Sequence, residues 1–417
     1  MFEETGFLRL FPPQEEDFGA MIRFHSGRLH QPCGRQVFLH MKKQKRRDPI
    51  KVMLVWTVCL AVLAAGALYL GSAITDYRAK TLESRQQAAR ETNEKRDQEY
   101  AKALAEYEQS TQSGANLAWP AQKTEGWDVI DLTSYPLENA TIITVNRADV
   151  MNNGMLLVNE WHSRPDDFSE ENLVSIGKYS SGSLQVDNYN LQLFPVAIDA
   201  LLSAVNDAKA LGYENYIVDG AYRSWDEQNE LFNKYMEKYS ESYSGDALIE
   251  RTKRDVNYPG TSEFNSGLTF TLKLYKKGDA EVTKANYVTT PEGQWMSENC
   301  WKYGLVFRFP KTDYPVKGTA DKSYKTGVSV SLRAYRYVGR GNAAVMHLLD
   351  LCLEEYIEYL QEHPHIAVFE DGALRYEIVR QYVGDDASSF QIQVTNRAKG
   401  YVSSLDNMGG VITVFEY

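Results

Sequence analysis

The sequence predicts one membrane-spanning helix followed along the chain by a domain of α+β fold, and three observations support this prediction. Residues 52–74 form a continuous apolar run without a charged side chain. In residues 194–361, several segments repeat apolar residues at helical spacing, and short β-type runs lie between them. After Pro364, apolar and polar residues alternate in runs separated by turn signals such as Asp371-Gly372, which is typical of β-strands.

The apolar run is long enough to cross a bilayer, whose hydrocarbon core needs about 20 apolar residues. Six Lys and Arg residues lie between positions 42 and 51, which predicts that residues 1–51 stay in the cytoplasm. A cleaved signal peptide is the alternative, but the run is longer than a typical signal-peptide core and lacks an A-x-A site before Thr75. We therefore expect a single-pass protein of the cell membrane with its main domain outside the cytoplasm. Met41 directly precedes the basic cluster and would be a natural start, so the sequence leaves open whether the mature protein contains residues 1–40.

The charge of the chain differs between its two ends. Residues 1–51 carry a net charge of +4, whereas the whole chain carries −11, so residues 52–417 carry −15. An acidic outer portion argues against nucleic acid as a partner, because neutralising phosphates requires a basic face. The composition, with 43% hydrophobic and 12% aromatic residues, is that of a chain that can fold.

The four cysteines are too few for a disulfide scaffold. Cys300 and Cys352 both lie in the outer portion, where pairing is chemically possible. Each sits in an apolar helical pattern, however, and buried free cysteines behave as small apolar side chains. We therefore expect two free, buried thiols.

The outer portion divides into segments of different composition. Residues 76–109 contain no Gly or Pro and are rich in helix-favouring residues, which predicts a charged helical stalk. Amphipathic helices are predicted over 194–211, 227–239 and 342–361. The predicted organisation is a cytoplasmic segment (1–51), a transmembrane helix (52–74), the stalk (75–112), a β-rich lead-in (113–152), a main domain (153–361) and a C-terminal β module (362–417).

Three short stretches of the main domain carry motif-like sequences. Residues 259–271 read PGTSEFNSGLTFT, residues 326–339 read TGVSVSLRAYRYVG, and residues 220–228 read GAYRSWDEQ. The first two resemble the signatures of VanY-type D-alanyl-D-alanine carboxypeptidases, roughly PGTSEHNTGLAVD and TGxxYEPWHFRYVG, and the third is similar to the family's SGYRSxxxQ run. The resemblance covers about residues 153–361. It implies a metallopeptidase fold with a central, mostly antiparallel sheet, helices packed on it and a groove between.

The positions that carry the chemistry of this family hold other residues here. The family places a zinc-ligating His and Asp where this sequence has Phe264 and Thr271. It places the general-base Glu and a second zinc-ligating His where this sequence has Ser331 and Ala334. Phe and Ala offer no lone pair to a metal, and a neutral Thr hydroxyl is a poor zinc ligand. The resemblance therefore implies the fold without catalytic residues, metal ligands or a cofactor.

Other residues of the groove match the family. By resemblance, Arg223 faces the substrate carbonyl or terminal carboxylate, which a planar guanidinium can hold in a fork. Ser262 matches the family serine that lies near the peptide, and Ser224 and Gln228 complete the predicted substrate-binding set. The alternative is structural, with Arg223 fixing its turn and Ser262 capping a helix.

These expectations favour a catalytically inactive homologue that binds peptidoglycan stem peptides, or a cell-wall partner, through the groove that the resemblance implies. One alternative is an active D,D-carboxypeptidase with a rearranged metal site, for which His162 is the histidine to consider because it follows the strand predicted over residues 155–159. Another is a membrane scaffold that acts through the stalk and the C-terminal module. Metal content distinguishes the first two hypotheses.

Overall fold

The computed structural model describes residues 118–384 and 387–417, together with residue 95. The predicted cytoplasmic segment, the predicted membrane-spanning run at 52–74 and, apart from residue 95, the predicted stalk lie outside the described residues. Within the part of the chain that is described, no helix is both long and apolar enough to cross a bilayer.

The described chain contains fourteen β-strands and ten α-helices. The strands are β1 (Trp127–Asp131), β2 (Ala140–Asn146), β3 (Val174–Ser175), β4 (Gln185–Val186), β5 (Gln192–Leu193), β6 (Tyr216–Gly220), β7 (Thr269–Leu274), β8 (Leu305–Phe307), β9 (Ala334–Tyr337), β10 (His365–Glu370), β11 (Ala373–Tyr382), β12 (Ser389–Thr395), β13 (Gly400–Leu405) and β14 (Gly410–Glu416). The helices are α1 (Arg147–Val150), α2 (Ile176–Tyr179), α3 (Pro195–Ala210), α4 (Trp225–Tyr239), α5 (Gly245–Lys253), α6 (Ala280–Lys284), α7 (Pro291–Asn299), α8 (Ser323–Thr326), α9 (Arg340–Leu348) and α10 (Leu353–Glu362). Short 3-10 helices cover Glu263–Ser266, Tyr287–Thr289 and Cys300–Tyr303.

The first five-stranded sheet has the order β4-β6-β7-β9-β8. β4 runs parallel to β6, and the other neighbours are antiparallel. Alternate residues of β7, including Phe270 and Leu272, are buried against apolar residues of α3 such as Ile198 and Leu201. Because side chains alternate along a strand, Thr271 belongs to the opposite face of β7. The expected α+β fold with a mostly antiparallel sheet is confirmed.

The second five-stranded sheet has the order β1-β10-β11-β14-β13 and is antiparallel throughout. Strands β10, β11 and β14 of this sheet, together with β12 outside it, match the alternating runs of the sequence, and the two-residue turn between β10 and β11 is Asp371-Gly372. Both turn residues have positive φ, at 50° and 76°, as in the tight hairpin turns that Asp-Gly favours. Strand β13 was not predicted from the sequence.

The β-rich lead-in segment contributes to the C-terminal strands. β1 pairs with β10 along its whole length, from Trp127 opposite Glu370 to Asp131 opposite Ile366. β2 forms a separate two-stranded ribbon with β12. The lead-in segment and the C-terminal module therefore share hydrogen-bonded strands, although they are far apart in sequence.

The helical pattern over residues 342–361 proves to be two helices, α9 and α10. Asp350 lies between them with a φ of 52°, a left-handed conformation that cannot continue a helix. The second helix has its own start, because the backbone N–H of Cys352 donates to Glu355 at 3.1 Å. Cys300 and Cys352 are both free and buried, as predicted.

Candidate functional site

A cleft of about 220 Å³ is lined by residues from all three motif stretches. Arg223 and Gln228 come from the stretch 220–228, residues 261–264 from the stretch 259–271, and residues 326–330 and Leu332 from the stretch 326–339. The chain therefore assembles the groove that the family resemblance implies from three segments that are separate in sequence.

Two of the positions at which the resemblance implies zinc ligands are paired in the first sheet. Thr271 of β7 lies opposite Ala334 of β9 and, on its other side, opposite Gly220 of β6. Phe264 belongs to the 3-10 turn before β7 and lines the cleft. Ala334 is fully buried, whereas Ser331 is exposed in the loop that precedes β9.

The side chains present at these positions do not fit a zinc ion. The hydroxyl of Thr271 donates to Asp219 at 2.7 Å, and the other oxygen of Asp219 accepts from Arg333 at 2.8 Å. The carboxylate nearest to Thr271 is therefore neutralised by a guanidinium. Among residues 118–384 and 387–417, no group of three or more His, Cys, Asp or Glu side chains could hold a metal ion. Zinc needs three such protein ligands even in an open catalytic site.

Phe264 has gained a contact of its own. The guanidinium carbon of Arg223 lies 5.3 Å from the centre of the Phe264 ring, within the range of a cation–π interaction. The backbone N–H of Arg223 also donates to the carbonyl of Phe264 at 3.0 Å. Where the family has a metal-binding imidazole, this chain has an aromatic face that supports a cation.

Arg223 is held in place by neutral groups. It donates to the side-chain oxygen of Gln228 at 2.7 Å, and Gln228 in turn donates to the carbonyl of Asn257 at 2.7 Å. Burial lowers the pKa of Arg223, and the charge of Glu227 partly opposes this effect. No described carboxylate lies within 4.0 Å of its guanidinium. The cleft therefore contains an oriented cation that lacks a close counter-ion in the described part of the chain.

The two predicted serines both lie at helix starts. Ser224 caps α4, because its hydroxyl accepts from the backbone of Glu227 at 3.1 Å and Glu227 accepts from its backbone at 2.8 Å. The backbone of Ser262 donates to Asn265 at 3.2 Å, and Ser262 also lines the cleft. Arg223, Gln228 and Ser262 thus meet at one site, while Ser224 supports the helix behind it. Their contacts with a substrate stay predictions.

A buried ion network, which sequence analysis missed, joins the motif residues to α10. Arg308 donates to Glu263 at 2.9 Å and to the two oxygens of Glu354 at 2.6 and 2.9 Å. Arg336 binds the other oxygen of Glu263. All four side chains are buried. Buried charges are tolerated when they are paired, so the Glu and Arg of the two signatures have a structural role in this fold.

The histidine considered for a rearranged metal site lies outside the cleft lining. His162 Nδ1 is 3.0 Å from the side-chain oxygen of Asn159, next to a separate depression. The other histidines of the main and C-terminal regions have structural contacts: they are His347, stacked on Trp301, His363, bonded to Asp131, and His365, bonded to Glu377.

Known proteins with similar sequences belong to the family whose motifs line the cleft. Residues 190–339 match the family model VanY, described as D-alanyl-D-alanine carboxypeptidase. A D-alanyl-D-alanine carboxypeptidase of Enterococcus faecium is 28% identical over 281 residues, which cover 67% of this chain and 80% of the relative. The putative carboxypeptidase YodJ of Bacillus subtilis (strain 168) is 30% identical over 210 residues, which cover 50% of this chain and 69% of the relative.

A solved structure, VanYB in complex with D-alanine-D-alanine, is 25% identical and covers 49% of this chain and 97% of that one, with a TM-score of 0.37. The sequence relatives, together with the three motif stretches that line one cleft, show the family of this chain. The chain belongs to the VanY family of D-alanyl-D-alanine carboxypeptidases.

Proposed function

We propose that this chain is a non-catalytic VanY-family homologue that binds peptidoglycan stem peptides outside the cytoplasm. One observation carries the proposal: Phe264, Thr271, Ser331 and Ala334 stand at the family's ligand and base positions, while Arg223 still faces the cleft. The apolar run at residues 52–74 supports membrane anchoring as part of the same proposal.

The proposed ligand is a peptide with a free terminal carboxylate. A guanidinium binds a carboxylate through charge-assisted hydrogen bonds, and Arg223 has no close carboxylate partner among the described residues. Apolar residues also line the cleft, among them Val256, Val330 and Leu332. A short apolar side chain next to the carboxylate, such as the methyl group of D-alanine, suits these walls.

The residues of the cleft provide binding but no hydrolytic machinery. Ser331 is exposed and, as a neutral hydroxyl, would need an activating base to remove a proton. Thr271 already donates its hydroxyl hydrogen to Asp219. The chemistry that remains is orientation of a peptide end by Arg223, supported by Gln228 and Phe264.

Calorimetric titration of the full-length protein tests the proposal. The probe is a pentapeptide ending in D-Ala-D-Ala, compared with the same peptide carrying a C-terminal amide. We expect binding of the free acid, and R223A should weaken it by about tenfold or more because one charge-assisted contact is lost. R340A is the matched control, since Arg340 is exposed and lies outside the cleft lining. Absence of binding at millimolar peptide would remove the ligand from the proposal.

The names of the relatives favour a second candidate, an active D,D-carboxypeptidase with a rearranged metal site. Metal analysis and a D-alanine release assay on the same preparation separate the two. Stoichiometric zinc together with D-alanine release supports the active enzyme. Peptide binding without either supports the non-catalytic homologue.

A further inference from the structure

A second depression, of about 240 Å³, lies beside the cleft. Asn159 lines both sites, and two chain segments run from one to the other. The first is residues 158–162, and the second extends from Tyr324 through Val330. The two sites are therefore neighbours on one surface and share a wall.

Two large aromatic side chains line the depression and are largely exposed. Trp161 is 56% exposed and Tyr324 is 66% exposed. A single exposed aromatic residue needs no explanation, but two that flank one concavity form an unfilled apolar surface. Aromatic rings present a flat apolar face, and Tyr and Trp add a polar edge. Such walls suit a ligand with a flat apolar face and polar groups around it.

The charged groups of the depression are already neutralised. Lys325 binds both oxygens of Glu358 at 2.7 Å. Glu354 is held by Arg308, and the hydroxyl of Tyr324 donates to Glu355 at 2.7 Å. Within residues 118–384 and 387–417, the Lys and Glu side chains that line the depression are thus paired, so a neutral ligand is favoured over a charged peptide end. This distinguishes the depression from the cleft, where Arg223 has no close carboxylate among the same residues.

We propose that the depression between Trp161 and Tyr324 binds a neutral sugar ring. A pyranose has an apolar face of C–H groups that can stack on an aromatic ring, and hydroxyls at its rim that bond to neighbouring polar groups. The volume is below the roughly 300–1,000 Å³ of sites for drug-sized ligands, so it suits one ring. Combined with the proposed peptide function of the cleft, on which this extension rests, the pair forms a composite site for a peptide attached to a sugar.

Calorimetric titration of the full-length protein with a β-1,4-linked N-acetylglucosamine tetramer tests the sugar site. We expect W161A and Y324A each to weaken binding by about tenfold, because a stacking face is removed. W161F and Y324F retain a ring and should keep most of the affinity. Y189A is the matched control, since Tyr189 is 77% exposed and lines neither site.

The titrations with peptide and with sugar test the two sites independently. The D-Ala-D-Ala pentapeptide measured alone reports on the cleft, and the sugar tetramer measured alone reports on the depression. R223A should weaken peptide binding by about tenfold or more and leave binding of the sugar tetramer unchanged. Failure of the wild type to bind the tetramer at millimolar concentration overturns the sugar site, as does equal binding by W161A, Y324A and Y189A. Retained peptide binding by W161A and Y324A shows that these variants are folded.

Discussion

The hydroxyl of Thr271 lies 2.7 Å from the carboxylate of Asp219 and donates a hydrogen bond to it. Asp219 also accepts from Arg333 at 2.8 Å. Thr271, where the resemblance implies a zinc ligand, is thus hydrogen-bonded to an ion pair that joins β6 to the residue preceding β9. This arrangement makes the replaced site testable through stability as well as through activity.

Changes at Thr271 should separate loss of a hydrogen bond from charge repulsion. T271V removes one hydrogen bond and should lower the free energy of unfolding by about 1 kcal/mol. T271D restores the family residue but places a second carboxylate beside Asp219. In the absence of metal, we therefore expect T271D to lower the free energy of unfolding more than T271V does. Chemical denaturation measures both values. Equal stability of T271D and wild type would contradict the predicted repulsion.

Zinc should stabilise a restored site and leave the natural chain unchanged. A ligand that binds only the folded state raises the free energy of unfolding. We expect no zinc-dependent shift of the melting temperature for wild type, and an upward shift for the triple variant F264H/T271D/A334H, in which all three ligand types return. F264H alone is the control, because a lone imidazole cannot form the site. A wild-type shift of the same size would disprove the loss of the metal site.

The buried network makes Glu354 important for folding. E354A leaves Arg308 without one of its two buried partners and should cost about 3–5 kcal/mol. E358A removes a partly exposed carboxylate from the neighbouring turn of the same helix and should cost about 0–1 kcal/mol. Urea denaturation of both variants measures the difference. If E354A and E358A lowered the free energy of unfolding by similar amounts, the buried network would contribute little to stability.

The same carboxylate predicts a pH dependence. Burial alone would raise the pKa of Glu354, but the charge and hydrogen bonds of Arg308 outweigh it, and the pKa lies below the usual value of 4.5. The folded state therefore binds this proton less readily than the unfolded state. Its contribution to stability is present above pH 4.5 and is lost as the pH falls through the lower folded-state pKa. In E354Q, the loss of stability on acidification should be smaller than in wild type.

The β10–β11 hairpin depends on the conformational freedom of Gly372. Its φ of 76° is unfavourable for a residue with a Cβ, so G372A should lower the free energy of unfolding by about 1 kcal/mol. Gly400 offers a matched control, because a Cβ there meets no atom within 4 Å and its φ is not positive. G400A should leave stability close to that of wild type. Thermal unfolding of the pair measures the cost of the turn.

Much of the fold follows from local sequence. Alternating apolar residues identified β10, β11, β12 and β14, and Asp371-Gly372 identified the turn of one hairpin. The residues that flank the motif positions identified the family, and segments of all three motif stretches line the cleft. Local pattern failed at Asp350, where one conformational break divides a continuous amphipathic pattern into two helices.

The partners of long-range contacts could not be read from the sequence. β1 pairs with β10, and Glu263 is neutralised by Arg308 and Arg336, which are 45 and 73 residues away. Each charge is visible in the chain, but nothing local shows which are buried together. The same holds for Trp161 and Tyr324, which no motif connects and which line one depression.

The sequence alone determines that Phe264 and Ala334 offer no side-chain donor atom to a metal, wherever folding places them. The folded chain decided which contacts stand in place of metal ligation: Asp219 binds Thr271 and Arg333, and Phe264 supports the guanidinium of Arg223. Whether a side chain has a donor atom is fixed by its residue type. Whether its charge is paired, and whether it is exposed to solvent, depends on which side chains folding brings within a few ångströms of it.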